Sequence, residues 1–132
     1  MTEQRILIVE SRRNIRDVLI DLVELERKVG IGVETGEAAL IKARESKPDL
    51  MLVSLELHGE MDGLSTIIAM RRVSSMPVVL LIDNAVGDSS LQKVDGNMLI
   101  LRMADLDHLS SAMKCLLPTS ARPDDQIRTA MV

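Results

Sequence analysis

Five short apolar runs punctuate the chain, at Ile6 to Val9, Ile31 to Val33, Leu50 to Val53, Val78 to Ile82 and Met98 to Leu101. Four of them are continuous rather than alternating, as strands of a parallel sheet buried on both faces read. Between them the spacing turns helical. Ile15, Val18, Leu19, Leu22 and Leu25 recur at three- and four-residue steps and predict a helix over 14–28, ended by Gly30. A second helix over 37–46 follows Thr35-Gly36 and stops ahead of Pro48. Leu64, Ile67, Ile68 and Arg71 mark a third, starting after Asp62-Gly63. Asp88, Ser89 and Ser90 offer caps for a short fourth helix over 89–94. Asp105 is the expected cap of a fifth, with Leu106, Leu109, Met113, Leu116 and Leu117 as its stripe before Pro118. Residues 1–117 then form one domain. Residues 118–132 lack periodicity and are expected to be a flexible tail, with Ile127, Ala130 and Met131 leaving a docking helix open.

Strand and helix thus alternate five times, which predicts an α/β, doubly wound parallel sheet with helices on both faces and right-handed crossovers. In such sheets the functional crevice lies beyond the carboxyl ends of the strands. The residues at those ends are Glu10 and Ser11, Ser54, Asp83 and Arg102.

Composition narrows the function more than the fold. Among 132 residues there is no Phe, Tyr or Trp, which excludes mechanisms built on ring stacking, including aromatic single-strand nucleic-acid platforms. A net charge of −4 supplies no long-range attraction for phosphate backbones or anionic lipid, so neither nucleic acid nor membrane is an expected partner. With one cysteine, Cys115, no internal disulfide can form, and with neither a signal segment nor a membrane-length apolar stretch the expected location is cytoplasmic.

Several segments together resemble the CheY-like receiver domain of two-component response regulators, over nearly everything from Arg5 to Leu117. Arg5-Ile6-Leu7-Ile8-Val9-Glu10 is similar to the family's first strand and its acidic end, and Gly36-Glu37-Ala38-Ala39-Leu40 to the start of its second helix. Pro48-Asp49-Leu50-Met51-Leu52-Val53-Ser54-Leu55, then Gly59-Glu60-Met61-Asp62-Gly63, resembles the stretch around its phosphoacceptor, and Met76-Pro77-Val78-Val79 the start of its fourth strand. The resemblance implies a flavodoxin-like (βα)5 sandwich with a five-stranded parallel sheet in the order 2-1-3-4-5, acting in phosphorelay signal transduction.

The departures from the family pattern all fall in the pocket. Of the two acids that bind Mg²⁺ in the family, Glu10 matches the first and Ser11 replaces the second, while Ser54 stands where the acceptor aspartate is expected. Ile82 replaces the hydroxyl residue of strand four, with Asp83 after it, and Arg102-Met103 replaces the Lys-Pro pair of strand five. A hard cation needs carboxylate oxygens, and a serine hydroxyl is neutral and weak without an adjacent base. The expectation is a pseudo-receiver that is not an enzyme, holds no cofactor and works through protein contacts without phosphorylation. The alternative is an active Mg-dependent phosphoacceptor with a rearranged site using Glu10, Glu56 and Asp83. Arg102 admits two readings, pairing with Glu10 or Asp83, or a solvated strand-end charge. The acidic loop of Glu56, Glu60 and Asp62, and the arginines Arg12, Arg13, Arg16, Arg71 and Arg72, read as solvent charges. No output module follows the fifth helix, so the expected partner is a separate protein (a histidine kinase, another regulator or an output protein) or a second copy. Leu91, Val94, Leu106, Leu109, Met113 and Leu117 are the candidates for that face, some of which must instead face the core.

Overall fold

The computed structural model describes residues 3–83 and 91–118, with backbone alone for 91–95. Strands β1 (Arg5–Val9), β2 (Val29–Val33), β3 (Leu50–Ser54), β4 (Val78–Ile82), β5 (Leu91–Asp95) and β6 (Met98–Arg102) form one sheet in the order β2-β1-β3-β4-β6-β5. The five parallel strands stand in the expected 2-1-3-4-5 order, because each run that reads as continuously apolar is buried between two helical layers. Helices α1 (Arg13–Leu25) and α4 (Leu109–Leu116) cover one face, enclosing a core that includes Ile6, Ile8, Leu19, Leu52, Leu81 and Leu101. Helices α2 (Gly36–Ser46) and α3 (Gly63–Arg71) cover the other, over Leu7, Val9, Met51, Val53, Ile67 and Met70. No helix among the described residues is long and apolar enough to cross a membrane.

Three expectations are corrected. Residues 91–94 are not helical: β5 runs antiparallel to β6 as an edge strand, with Asp95 paired to Met98 across Gly96-Asn97. A two-residue Gly-Asn connection is a hairpin signal, and it overrides the weak capping signal upstream, whose residues 88–90 lie outside the described ones. Gly30 does not end α1 but sits within β2; the helix stops at Leu25, and Arg27 takes the left-handed conformation with φ 60°. Asp105 caps no helix; it lies within a 3₁₀ turn over Met103–His108 that precedes α4, and its carboxylate receives Arg102.

Of the expected partner face, Leu109, Met113 and Leu117 are buried in the core and Leu106 packs against it, so α4 turns its apolar stripe inward. Leu91 and Val94 fall on β5. The expected tail, from residue 119 onward, lies outside the described residues.

Where the local signals are strong, they hold. The Thr35 hydroxyl accepts from the Ala38 N–H at 3.1 Å to open α2, and the Asp62 carboxylate accepts from the Ser65 N–H at 2.8 Å to open α3. That bond holds the exposed Asp62 carboxyl below its ordinary value. Asp62 is therefore a helix cap rather than a member of an acidic binding loop.

Candidate functional site: a pocket closed by an internal cation

Glu10 follows β1 directly, and its side chain is fully buried, a costly place for a carboxylate unless every oxygen is satisfied. Four donors satisfy it. The Arg12 backbone N–H and Nε reach Oε2 at 2.9 and 3.2 Å, Arg12 Nη2 reaches Oε1 at 3.0 Å, and the Ser54 hydroxyl donates to Oε1 at 2.6 Å. Burial pushes the Glu10 carboxyl up, but the Arg12 and Ser54 hydrogen bonds outweigh it and hold the group below its ordinary value. The Arg12 guanidinium is correspondingly held in its charged form, chiefly by Glu10.

The same guanidinium extends to the end of β4, where Nη1 and Nη2 reach the Asp83 carboxylate at 3.3 and 3.4 Å. Arg12 thus ties the ends of two strands, reaching across 71 positions of sequence to Asp83. A planar fork of donors suits such bridging better than a flexible ammonium would. Beneath it is a small cavity of about 80 Å³, lined by Arg12, Ser54, Glu56, Ile82 and Asp83 among others.

Glu10, Ser54, Ile82 and Asp83 therefore converge as the sequence predicts, and two other residues do not join them. Ser11 turns away: its hydroxyl donates to the Glu34 carbonyl at 2.6 Å and accepts from the His58 N–H at 2.8 Å, joining the loops after β1, β2 and β3. Arg102 pairs with Asp105, three residues on, instead of Glu10 or Asp83. Its place is taken by Arg12, which is therefore a pocket residue and not a solvent charge. The cue available was the Glu10-x-Arg12 spacing, which lets a cation fold back onto an acid at a strand end. Arg16 is also engaged, donating from Nη1 to the Glu10 carbonyl at 2.8 Å.

These residues do not fit a divalent cation. Both oxygens of Glu10 are committed to Arg12 and Ser54, the second family acid is a serine bonded elsewhere, and a guanidinium already bridges Glu10 and Asp83. Elsewhere, Asp105, Asp107 and His108 bring ligand atoms within 4.8 Å of one another, but Arg102 already neutralises Asp105.

Because its folded-state carboxyl is depressed, Glu10 contributes stability that is complete above its unfolded value near 4.5 and is lost as pH falls through the lower folded value. Denaturant titrations from neutral to acidic pH are expected to show that loss in the wild-type chain and a shallower pH dependence in Glu10→Gln. Equal slopes in the two would contradict the pairing.

No model of a known protein family matches the chain. It is 36% identical to the transcriptional regulatory protein BaeR of Escherichia coli over 76 residues, 58% of this chain, and it spans only 31% of that protein's length. The N-terminal domain of a response regulator/sensory box/GGDEF protein from Carboxydothermus hydrogenoformans is 31% identical, with a TM-score of 0.60, covering 65% of this chain and 70% of its own. The response regulator TrrA of Thermotoga maritima, solved with Mg²⁺ and BeF, is 27% identical with a TM-score of 0.72, covering 86% of this chain and 99% of its own. A complex of histidine kinase ThkA with TrrA matches at 25% identity and a TM-score of 0.72, covering 87% of this chain and 99% of the matched one. With the parallel strand order, the acid at the end of β1 and these likenesses agreeing, the chain belongs to the response regulator receiver family.

Proposed function

We propose that this receiver domain signals without phosphotransfer, through contacts with another protein, its pocket held in one charge state by Arg12. The observation that carries this reading is the Arg12 guanidinium bridging Glu10 and Asp83 while the Ser54 hydroxyl is spent on Glu10. Such a pocket offers a spent serine hydroxyl where the family has its acceptor carboxylate. With Glu10 and Asp83 bridged by Arg12, it leaves Glu56 as the one lining carboxylate without a partner among the described residues, too small an oxygen set to hold the ion that would assist phosphotransfer. A domain of this kind is a binding module rather than an enzyme, and its output is a change in which partner it holds. The response regulator TrrA in complex with a histidine kinase supports a protein as that partner.

Incubation of the full chain with acetyl phosphate and Mg²⁺, followed by intact-mass measurement, tests the reading. The expected spectrum is that of the unmodified chain. A stoichiometric gain of one phosphoryl group would overturn the proposal in favour of an active phosphoacceptor built on Glu10, Glu56 and Asp83.

A further inference from the structure

At the end of the strands opposite Glu10, a cavity of about 420 Å³ opens between the end of α1 and α4. Met113 and Leu117, both buried, give it an apolar lining, and Lys28 and Lys114 are its cations. Glu26 borders it too, but that carboxylate accepts from the Ser110 hydroxyl at 2.6 Å, which ties α4 to the end of α1. Lys28 and Lys114 make no ion pair among the described residues. The wall of the cavity continues along α1. Val18, Leu22 and Glu26 are spaced four apart and so form one ridge, which the Glu26 bond turns toward α4. Arg16 and Ile20, which lie against Gly32, mark the other side of the helix. On the α4 side Val18 is 47% exposed, and Leu25, one turn from Leu22, is 77% exposed.

A groove with two cations at one end and an uncovered apolar wall leading away from them suits an amphipathic segment whose acids come first. The chain carries such a segment, and it starts at the rim of the cavity. Pro118 is part of the lining, and its carbonyl accepts from the Gln4 side-chain amide at 3.2 Å, so the chain passes on to residue 119 from the cavity wall. Residues 119–122 reach at most about 14 Å, which brings Asp124 and Asp125 within range of Lys28 and Lys114 in the same cavity. Pro123 suits the first position of a helix, and Asp124 and Asp125 then fall in its first turn, where acids are favourable. Ile127, Ala130 and Met131 follow at three- and four-residue steps, an apolar stripe. From Glu26 back to Val18 the α1 ridge rises about 12 Å, and a helix over 123–132 is about 15 Å long.

We propose that the groove between α1 and α4 is the docking site of the chain's own C-terminal segment, residues 123–132, bound as a helix. Asp124 and Asp125 pair with Lys28 and Lys114, and Ile127 and Met131 cover Val18, Leu22 and Leu25. A short tether holds such a segment at an effective concentration on the order of millimolar, so weak contacts suffice to fill the groove. While docked, the segment keeps the α1–α4 face from other proteins, and a partner that prefers the open face shifts the balance by displacing it. The proposal goes beyond the loss of phosphotransfer and does not rest on it: a phosphoryl adduct at the pocket would leave it standing.

The test uses the full ¹⁵N-labelled chain. In the wild type, the heteronuclear NOE values of 123–132 are expected to match those of α4. In the double variant Ile127→Asp with Met131→Asp they are expected to fall to those of a free chain, with amide shifts at 18–28 and 110–117, far in sequence from the changes. Lys28→Glu with Lys114→Glu is expected to release the segment in the same way, and so is Asp124→Lys with Asp125→Lys. Combining all four charge changes is expected to restore docking, because the repulsion in each pair of variants becomes attraction again. That recovery also shows that the charge-reversed chains fold. Wild-type NOE values as low as those of the variants would overturn the proposal, as would unmoved amides at 18–28 and 110–117 or no recovery in the fourfold variant. So would docking that is lost on dilution, which would assign the groove to the tail of a second copy.

Discussion

Gly63→Val is expected to destabilise the domain by about 3 kcal/mol, the upper end of what overpacking costs when neither side can give way. Gly63 stands where β3 hands over to α3, its N–H donating to the Leu55 carbonyl at 2.7 Å. A Cβ there would press on the Ser54 carbonyl oxygen and come within 2.8 Å of the Leu55 Cα. Both neighbours are backbone at the end of a fully buried strand, so relief would require lifting the start of α3 off the sheet. The comparison is Gly96→Ala in the hairpin turn, where nothing lies within 4 Å of the added atom and little change is expected. Urea titrations with an unchanged slope and a lowered midpoint for Gly63→Val alone would agree. Similar midpoints for the two variants would mean that the joint is looser than its geometry says.

Arg12→Ala is expected to cost about 2 kcal/mol at neutral pH. Removing one partner of a fully buried ion pair costs roughly 3–5 kcal/mol, because the other charge is stranded. Here the penalty is smaller for two reasons. The Arg12 side chain is 42% exposed, so water enters where it leaves, and the residue-12 N–H and the Ser54 hydroxyl still serve Glu10. The bond to Asp83 adds little, since both side chains are more than a third exposed. In the variant, burial acts on Glu10 with its main counterweight gone, so its carboxyl moves upward. The gap between wild type and variant is therefore expected to be widest at neutral pH and to close in acid, as Glu10 protonates in both. A gap that stays constant from neutral to acidic pH would mean that Arg12 acts by packing alone. Arg12→Lys keeps the charge but not the planar fork, and should recover part of the loss.

The parts of this molecule that its sequence announces are those whose signals are local. Ile6 to Val9, Leu50 to Val53 and Val78 to Ile82 read as strands because burial on both faces leaves an unbroken apolar run. Thr35 and Asp62 read as helix starts because a cap bonds within its own first turn. β5 does not announce itself, because its short mixed sequence has no period of its own; it exists through pairing with β6, and the Gly96-Asn97 turn is its one local sign. The pocket divides the same way. Its acid, serine and strand ends follow from position in the alternation, but the Arg12 bridge needs Asp83, which only the folded sheet brings near. Arg102 is the converse: it pairs with Asp105, a local contact three residues on, rather than with a distant strand end.

A magnesium ion can be stripped from a protein by a chelator or diluted away, but a guanidinium borne two residues from its carboxylate is present at the same effective concentration wherever the chain is. On the proposed reading the electrostatic condition at the head of this sheet is thus set at folding, and neither added magnesium nor EDTA is expected to shift its thermal unfolding.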